Sequence, residues 1–337
     1  MKRWTLLLLL AVALPLPAQT VLPEENPFFV EWSTPFGLPP FGDIRPEHFL
    51  PAIERGMALQ KQEVAAIVAN SEPPTFANTI EALDASGELL AKVLGVFQNL
   101  VSAETNEALQ EIARTTAPRL AAHRDDINLD PRLLARVRAV WEARDRLHLT
   151  PEQAKLLEET WKGFVRGGAL LDQQAQARLR AINAELATAG TKFGDNLLKE
   201  INSYRLVVSD PADLAGLPER VKAGAAEAAR RAGLEGKWVF TLHAPSIWPF
   251  LEAADNRELR RQIFSAYTSR GDHGNETDNK VLAARMAALR AERARLLDFA
   301  TWADFVLDEA MAKTPERVWD LLNRLWVPAK AVAAREA

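Results

Sequence analysis

From residue 46 onward, apolar positions recur every three or four residues, the period of helices that bury one face. Pro46-Glu47 opens a first run that lasts through Val68, and Ser71-Glu72-Pro73-Pro74-Thr75 breaks it. The next run carries Ile80, Leu83, Gly87, Leu90, Leu94, Phe97 and Val101 at alternating spacings, which predicts a helix lying side by side with a neighbour. Gly87 in that seam predicts a close helix crossing. Pro118 begins or kinks a further helix. Asp130-Pro131 and Thr150-Pro151-Glu152 open two more, each with a capping side chain before proline at the first helical position. After Gly167-Gly168, the stripe Ala175, Leu179, Ile182, Leu186, Ala189, Phe193 and Leu197 predicts a long helix over about 171–200.

The period then changes. Tyr204–Val208 and Lys237–Leu242 read as strands, and between them Leu217-Pro218-Glu219 starts an Ala/Arg-rich helix that ends near Ala232 at Gly233. Residues 203–243 are therefore a strand–helix–strand insertion between a helical region at 47–202 and another at 244–337. Helices resume near Trp248 and Asn256 and again over 278–297, with a turn at 271–275. No fixed-period repeat is present, which argues against a solenoid. Thr314-Pro315-Glu316 opens another helix and Pro328 restarts one. No Gly, Asn or Pro closes residues 329–337, so the expectation is a chain that continues into a longer protein.

The two segments before residue 47 differ from the rest. Residues 20–46 hold six prolines among Phe28, Phe29, Trp32, Phe36 and Phe41, a composition that forbids a regular helix and predicts an extended arm laid over a core. Residues 1–19 have the layout of a cleavable signal peptide. Lys2 and Arg3 precede the apolar run Leu6–Leu14, and cleavage is expected near Ala18 or Gln19. That run is shorter than the ~20 residues of a membrane span. The expectation is an exported, periplasmic product that is monomeric and free of the membrane after cleavage.

Composition narrows the chemistry. The 337 residues are 48% hydrophobic and 26% charged, enough apolar content for a large core. The net charge of −4, with Lys and Arg interspersed among acids, lacks the basic stripe that a nucleic-acid partner requires. Cysteine is absent, which removes disulfides, thiol catalysis and thiolate metal ligands from these residues. None of His48, His123, His148, His243 or His273 begins an H-E-x-x-H sequence, the spacing that puts two imidazoles and a general base on one helix face. No G-x-S-x-G elbow or phosphate-binding Gly loop occurs. His123, Asp125 and Asp126 read as a solvated helix end rather than a metal site. Asp272, Glu276 and Asp278 around His273 miss the EF-hand pattern and read as a polar turn. Glu158 and Glu159 sit between Lys155 and Lys162 as surface charges. Arg285, Arg290, Arg293 and Arg295 read as a solvated face, and Trp141, Trp161, Trp302, Trp319 and Trp326 as core. No residue is assigned a catalytic, cofactor-binding or metal-binding role.

Irregular stretches say more than periodicity. In order they are Asn26-Pro27-Phe28-Phe29, then Glu72 to Ile80 (EPPTFANTI), then Asn256-Arg257-Glu258-Leu259-Arg260 with Tyr267, Arg270, Gly271 and Asn275. Arg290-Ala291-Glu292-Arg293 and Met311-Ala312-Lys313-Thr314-Pro315-Glu316 complete the series. Together they resemble the N-terminal half of the peptidyl-dipeptidase Dcp branch of the thimet-oligopeptidase family of zinc metallopeptidases, over nearly all of the chain after the leader. The Met311–Glu316 run is closer to that branch than to oligopeptidase A.

The resemblance implies a mostly α fold, a thimet-oligopeptidase- or neurolysin-like multi-helix lobe with the small strand–helix–strand insertion. It implies a deep channel that admits oligopeptides, and release of C-terminal dipeptides by metal-activated water. The single zinc would be held by H-E-x-x-H and a downstream Glu, all beyond Ala337, so this chain alone binds no zinc and is expected to be inactive. The alternatives are an oligopeptidase A-like endopeptidase of the same group and a non-catalytic peptide-binding helical protein.

Overall fold

The computed structural model describes residues 26–336. The expected leader, residues 1–19, and the first residues of the expected arm lie outside the described residues. The architecture is helical with one two-stranded sheet, as the periods predict. Two compact units are present: residues up to Gln60 with Gly87–Glu104, and Lys61–Ser86 with Thr105–Ala337.

In the first unit, short 3-10 turns at Pro27–Phe29 and Pro35–Gly37 lead into α1 (Pro46–Ala69), whose first part belongs here together with α3 (Glu88–Ala103). The arm is half of what its aromatic content predicts. Phe28 is buried and packs with its ring tilted against Phe49, which packs likewise against Phe97, at ring-centroid distances of 5.3 and 5.2 Å. Lys92 tethers the arm, its Nζ lying 4.1 Å from the Trp32 ring centroid and donating to the Val30 carbonyl at 3.0 Å. Phe36 and Phe41 instead point into solvent, and Phe36 has a left-handed φ of 60°.

The run from Ile80 to Val101 is not one helix. A π-helical turn, Phe76–Glu81, continues into the single turn α2 (Ala82–Asp84), and a turn at 85–87 precedes α3. Gly87 is the residue that permits this break. Its φ is +80°, and a Cβ there would lie 2.4 Å from the Gln60 side chain. The close helix crossing expected at Gly87 occurs at Gly56, where a Cβ would come within 2.9 Å of the Leu90 Cα.

The second unit is built on α4 (Glu107–Asn128), α5 (Pro131–Ala143), α6 (Pro151–Arg166) and α7 (Gln173–Ser203). Their starts follow from local chemistry. Asp130 accepts hydrogen bonds from the Arg132 and Leu133 amides, and Thr150 and Gln153 form a reciprocal capping box. Pro118 lies inside α4. One core joins Val64, Ile67, Phe76 and Ile80 to Leu133, Val137, Val140, Leu157 and Phe164. In it sits Arg136, only 8% exposed. Its guanidinium donates to the Asn70 carbonyl at 2.8 Å, the Glu72 carbonyl at 3.3 Å and Asn78 Oδ1 at 3.0 Å. It therefore fixes the Pro-rich break between α1 and the π turn.

The insertion forms as expected. β1 (Leu206–Val208) pairs antiparallel with β2 (Trp238–Phe240), with Val207 opposite Val239, and α8 (Glu219–Arg231) links them. A second core of Leu206, Val208, Phe240, Ile247, Phe250 and Ile263 joins the sheet to α9 (Ala244–Ala253) and α10 (Arg257–Thr268). α11 (Lys280–Leu296) and α12 (Trp302–Leu307) follow, and α13 (Pro315–Glu336) closes the described residues. Pro328 does not restart a helix but lies within α13, and Trp319 and Trp326 are exposed rather than core.

Arg136→Ala leaves two carbonyls and an amide oxygen without their buried donor. It is expected to destabilise the chain by about 2–4 kcal/mol, read as a fall in the urea midpoint at constant m-value; a change below about 0.5 kcal/mol would show that the clamp is not structural.

Candidate functional site

The long helix α7 carries several of the polar clusters. Its apolar stripe is buried at Leu179, Ile182 and Ala189, the first two fully enclosed, and half-buried at Ala175, Leu186, Phe193 and Leu197. Beside that stripe it carries side chains that reach α4 on one flank and α11 on the other. Toward α4, Arg180 bonds Asp126 at 2.8 Å, Asn183 Nδ2 donates to Asp125 Oδ1 at 2.8 Å, and Arg114 bonds Asp195 at 2.8 Å. Toward α11, Arg178 forks onto Glu292 at 2.6 and 2.7 Å, and Glu185 is forked by Arg285 at 2.5 and 2.7 Å.

The reading of His123, Asp125 and Asp126 as a solvated helix end is corrected here. His123 and Asp125 are each 5% exposed, on the face of α4 turned inward, and Asp126 alone faces solvent. Burial pushes the Asp125 carboxyl above its ordinary value, against the opposing pull of the Asn183 hydrogen bond and of Arg180. Burial likewise lowers the His123 imidazole. Arg293, read from sequence as part of a solvated face, is turned inward near the Phe305 and Trp302 rings, and burial pulls its guanidinium below the usual range. The Glu158–Glu159 reading stands: Lys155 bonds Glu159 at 2.7 Å, and Lys162 pairs with Glu158.

A cleft of about 510 Å³ lies at the C-terminal end of α7. It is walled by Lys199, Glu200, Tyr204, His273, Asn275 and Glu276 among others. The loop from Gly271 to Asn279 shapes it. Gly271, at φ +73°, donates its amide to Glu200 at 2.5 Å and accepts from the Asn279 amide at 2.7 Å. Buried Asn279 in turn donates to the Phe193 carbonyl and accepts from Asn196. Asp278 accepts the Gly274 and Lys280 amides and pairs with the Lys280 ammonium; these bonds hold its carboxyl down at about 2. The loop is thus the polar turn that its composition predicts, stapled to α7.

Glu200 and His273 meet at 3.0 Å, and Ser269 Oγ lies 3.4 Å from the same imidazole. Both partners address one ring nitrogen, Nε2. A hydroxyl and a carboxylate on opposite nitrogens are what a nucleophile–base–orienter relay needs, so this array does not make one. His48 is engaged in accepting the Arg45 amide, and His243 lies between Thr241 and Asn202. Among the described residues no three His, Asp or Glu side chains converge as metal ligands. These residues therefore do not fit a zinc centre. What sequence reading missed is Arg136 and the inward turn of Asp125 and Arg293. Residue order does not single out Arg136, because Arg136 and Arg138 flank the apolar stripe of α5 equally.

Residues 250–337 match the sequence model of Peptidase family M3. The chain is 38% identical over 311 residues to Dipeptidyl carboxypeptidase of Escherichia coli (strain K12), a match covering 92% of this chain and 46% of that protein. It is 30% identical over 307 residues to Oligopeptidase A of the same organism, with 90% and 45% covered, and 27% identical over 304 residues to Probable cytosolic oligopeptidase A of Arabidopsis thaliana, with 87% and 43% covered. The chain belongs to the M3 peptidases, and its helical architecture is that of a lobe of this family. It spans about half the length of the curated relatives it matches.

The Asp278 interactions set a pH test. A carboxyl held at about 2 in the folded loop stabilises it above the ordinary Asp value of 3.8, and this contribution is lost as pH falls from about 4 to about 2. In denaturation series from about pH 5 to about pH 2, the stability difference between wild type and Asp278→Asn is expected to shrink to nothing. A difference that stays constant to the acid end would show that the carboxylate is not what holds the loop.

Proposed function

We propose that this chain is the N-terminal part of an exported, Dcp-like zinc metallopeptidase that releases dipeptides from the C-termini of oligopeptides. The 38% identity over 311 residues to a dipeptidyl carboxypeptidase carries the proposal. It exceeds the 30% identity to Oligopeptidase A over a nearly equal length, so the peptidyl-dipeptidase reading is preferred to the endopeptidase one. The run Met311-Ala312-Lys313-Thr314-Pro315-Glu316 supports the same branch. The absence of an H-E-x-x-H sequence from these 337 residues, and the 46% coverage of the relative, support a zinc site supplied by polypeptide outside this sequence. The described residues would then act as scaffold and channel wall. Lys2, Arg3 and Leu6–Leu14 support a periplasmic location. No helix among the described residues is long and apolar enough to cross a membrane.

The test is to read the coding DNA past codon 337, express the product at full length, and assay it on oligopeptides with free and with amidated C-termini. The expected outcome is dipeptide release from free termini only, abolished by a chelator and restored by zinc, with the 337-residue chain inactive. Internal cleavage regardless of the terminus would replace this reading with the endopeptidase one. Hydrolysis indifferent to chelation, or a reading frame without H-E-x-x-H, would refute it.

A further inference from the structure

α13 is 22 residues long, and none of them is buried. In proteins most of a helix's stability comes from packing its apolar face on another surface. The face is well defined. Val318, Leu322, Leu325, Ala329 and Val332 follow one another at spacings of four and three, and Trp319 and Trp326 flank them seven residues apart on the same side. Trp319 is 64% exposed, Leu325 56% and Trp326 61%. Asp320 and Arg324 pair at 3.2 Å on the opposite face. Tryptophan and leucine set in one stripe, with Asp320 and Arg324 on the far side and no charge among Val318, Leu322, Leu325 and Ala329, are the make-up of an interface core.

We propose that this stripe is the seam on which the zinc-bearing half of the full-length protein packs; the inference rests on the function proposed above. Two observations choose this occupant. The family match runs through α13, so the helix is an element shared with relatives whose length is about twice that of the matched region. Consecutive elements of a chain are usually neighbours in space, which makes the polypeptide following α13 the nearest candidate. A membrane surface fits poorly. Glu316, Asp320 and Glu336 interrupt Arg317, Arg324, Lys330 and Arg335, so the polar face lacks the basic excess that anionic lipid selects.

Hydrogen exchange of α13 is compared in the 337-residue chain and in the full-length product, alongside the peptidase assay. The amides of α13 are expected to exchange about a hundredfold or more slowly in the longer protein. The double variant Leu322→Lys, Leu325→Lys is expected to leave the melting of the 337-residue chain unchanged and to remove the protection of α13 in the longer one. Equal exchange in the two proteins, with zinc-dependent hydrolysis intact, overturns the seam and leaves the function standing. Slow exchange in the longer protein without hydrolysis upholds the seam and overturns the function. Protection of α13 in the 337-residue chain that grows with concentration, together with a dimer in sedimentation, assigns the stripe to a second copy and overturns the proposal.

Discussion

The second unit depends on the packing of α7 between α4 and α11. At ~1.5 Å per residue, its 31 residues give a rod of about 46 Å. Enclosing Leu179 and Ile182 contributes ~1.5–3 kcal/mol for each side chain removed from water. The ion pairs that flank the stripe are open to solvent and add little to stability on their own. Their value is geometric. A forked Arg178–Glu292 pair and a forked Arg285–Glu185 pair can both close at only one axial offset of α7 against α11, and Arg180–Asp126 fixes α7 against α4 in the same way. Apolar burial holds the three helices together, and paired charges choose the register.

That register positions the loop at Gly271–Asn279. The last turns of α7 supply Phe193, Asn196 and Glu200, and each is bonded to this loop or to Asn279 at its end. A shift of α7 by one residue would move these partners by about 1.5 Å and break all three connections together. Buried Asp125 raises the stakes. Its carboxyl is inside the α4–α7 interface and bonded to Asn183, so a displaced register would leave a charge buried without its partner. The cost of that burial is evident in its raised pKa.

Features that depend on near neighbours in the chain were legible from residue order. Asp130-Pro131 and Thr150-Pro151 start helices because the cap, the proline and the amides they satisfy lie within four residues. Gly233 ends α8 with a left-handed φ of +71° for the same reason. The change from a period of 3.6 to one of 2 marked β1 and β2. Gly87 was misread because a glycine in a heptad-like pattern is compatible with a crossing or a break, and the Gln60 side chain that decides between them is 27 residues away in sequence. Asp125 and Arg293 were misread because a charged residue on a helix says nothing of which partner waits opposite. The exposure of Trp319 and Trp326 was hidden for the converse reason: the pattern shows that a face is apolar and leaves open what covers it.

The family resemblance and the absence of an active-site array among the described residues are therefore consistent with each other. Irregular stretches carried the resemblance because each solves a local problem of this fold. Glu72 to Ile80 forms the break and π turn that Arg136 clamps, and Asn256 caps α10. Residues that solve folding problems mark a fold, and a fold does not by itself carry the reacting groups. The 38% identity is thus strong support for the architecture and weaker support for the reaction. His273, Glu200 and Ser269 illustrate the difference. They have the residue types of a catalytic relay and stand within reach of one another, yet the geometry at Nε2 commits them to holding a loop. The polar groups along α7 are engaged in the same way, in keeping the scaffold in register.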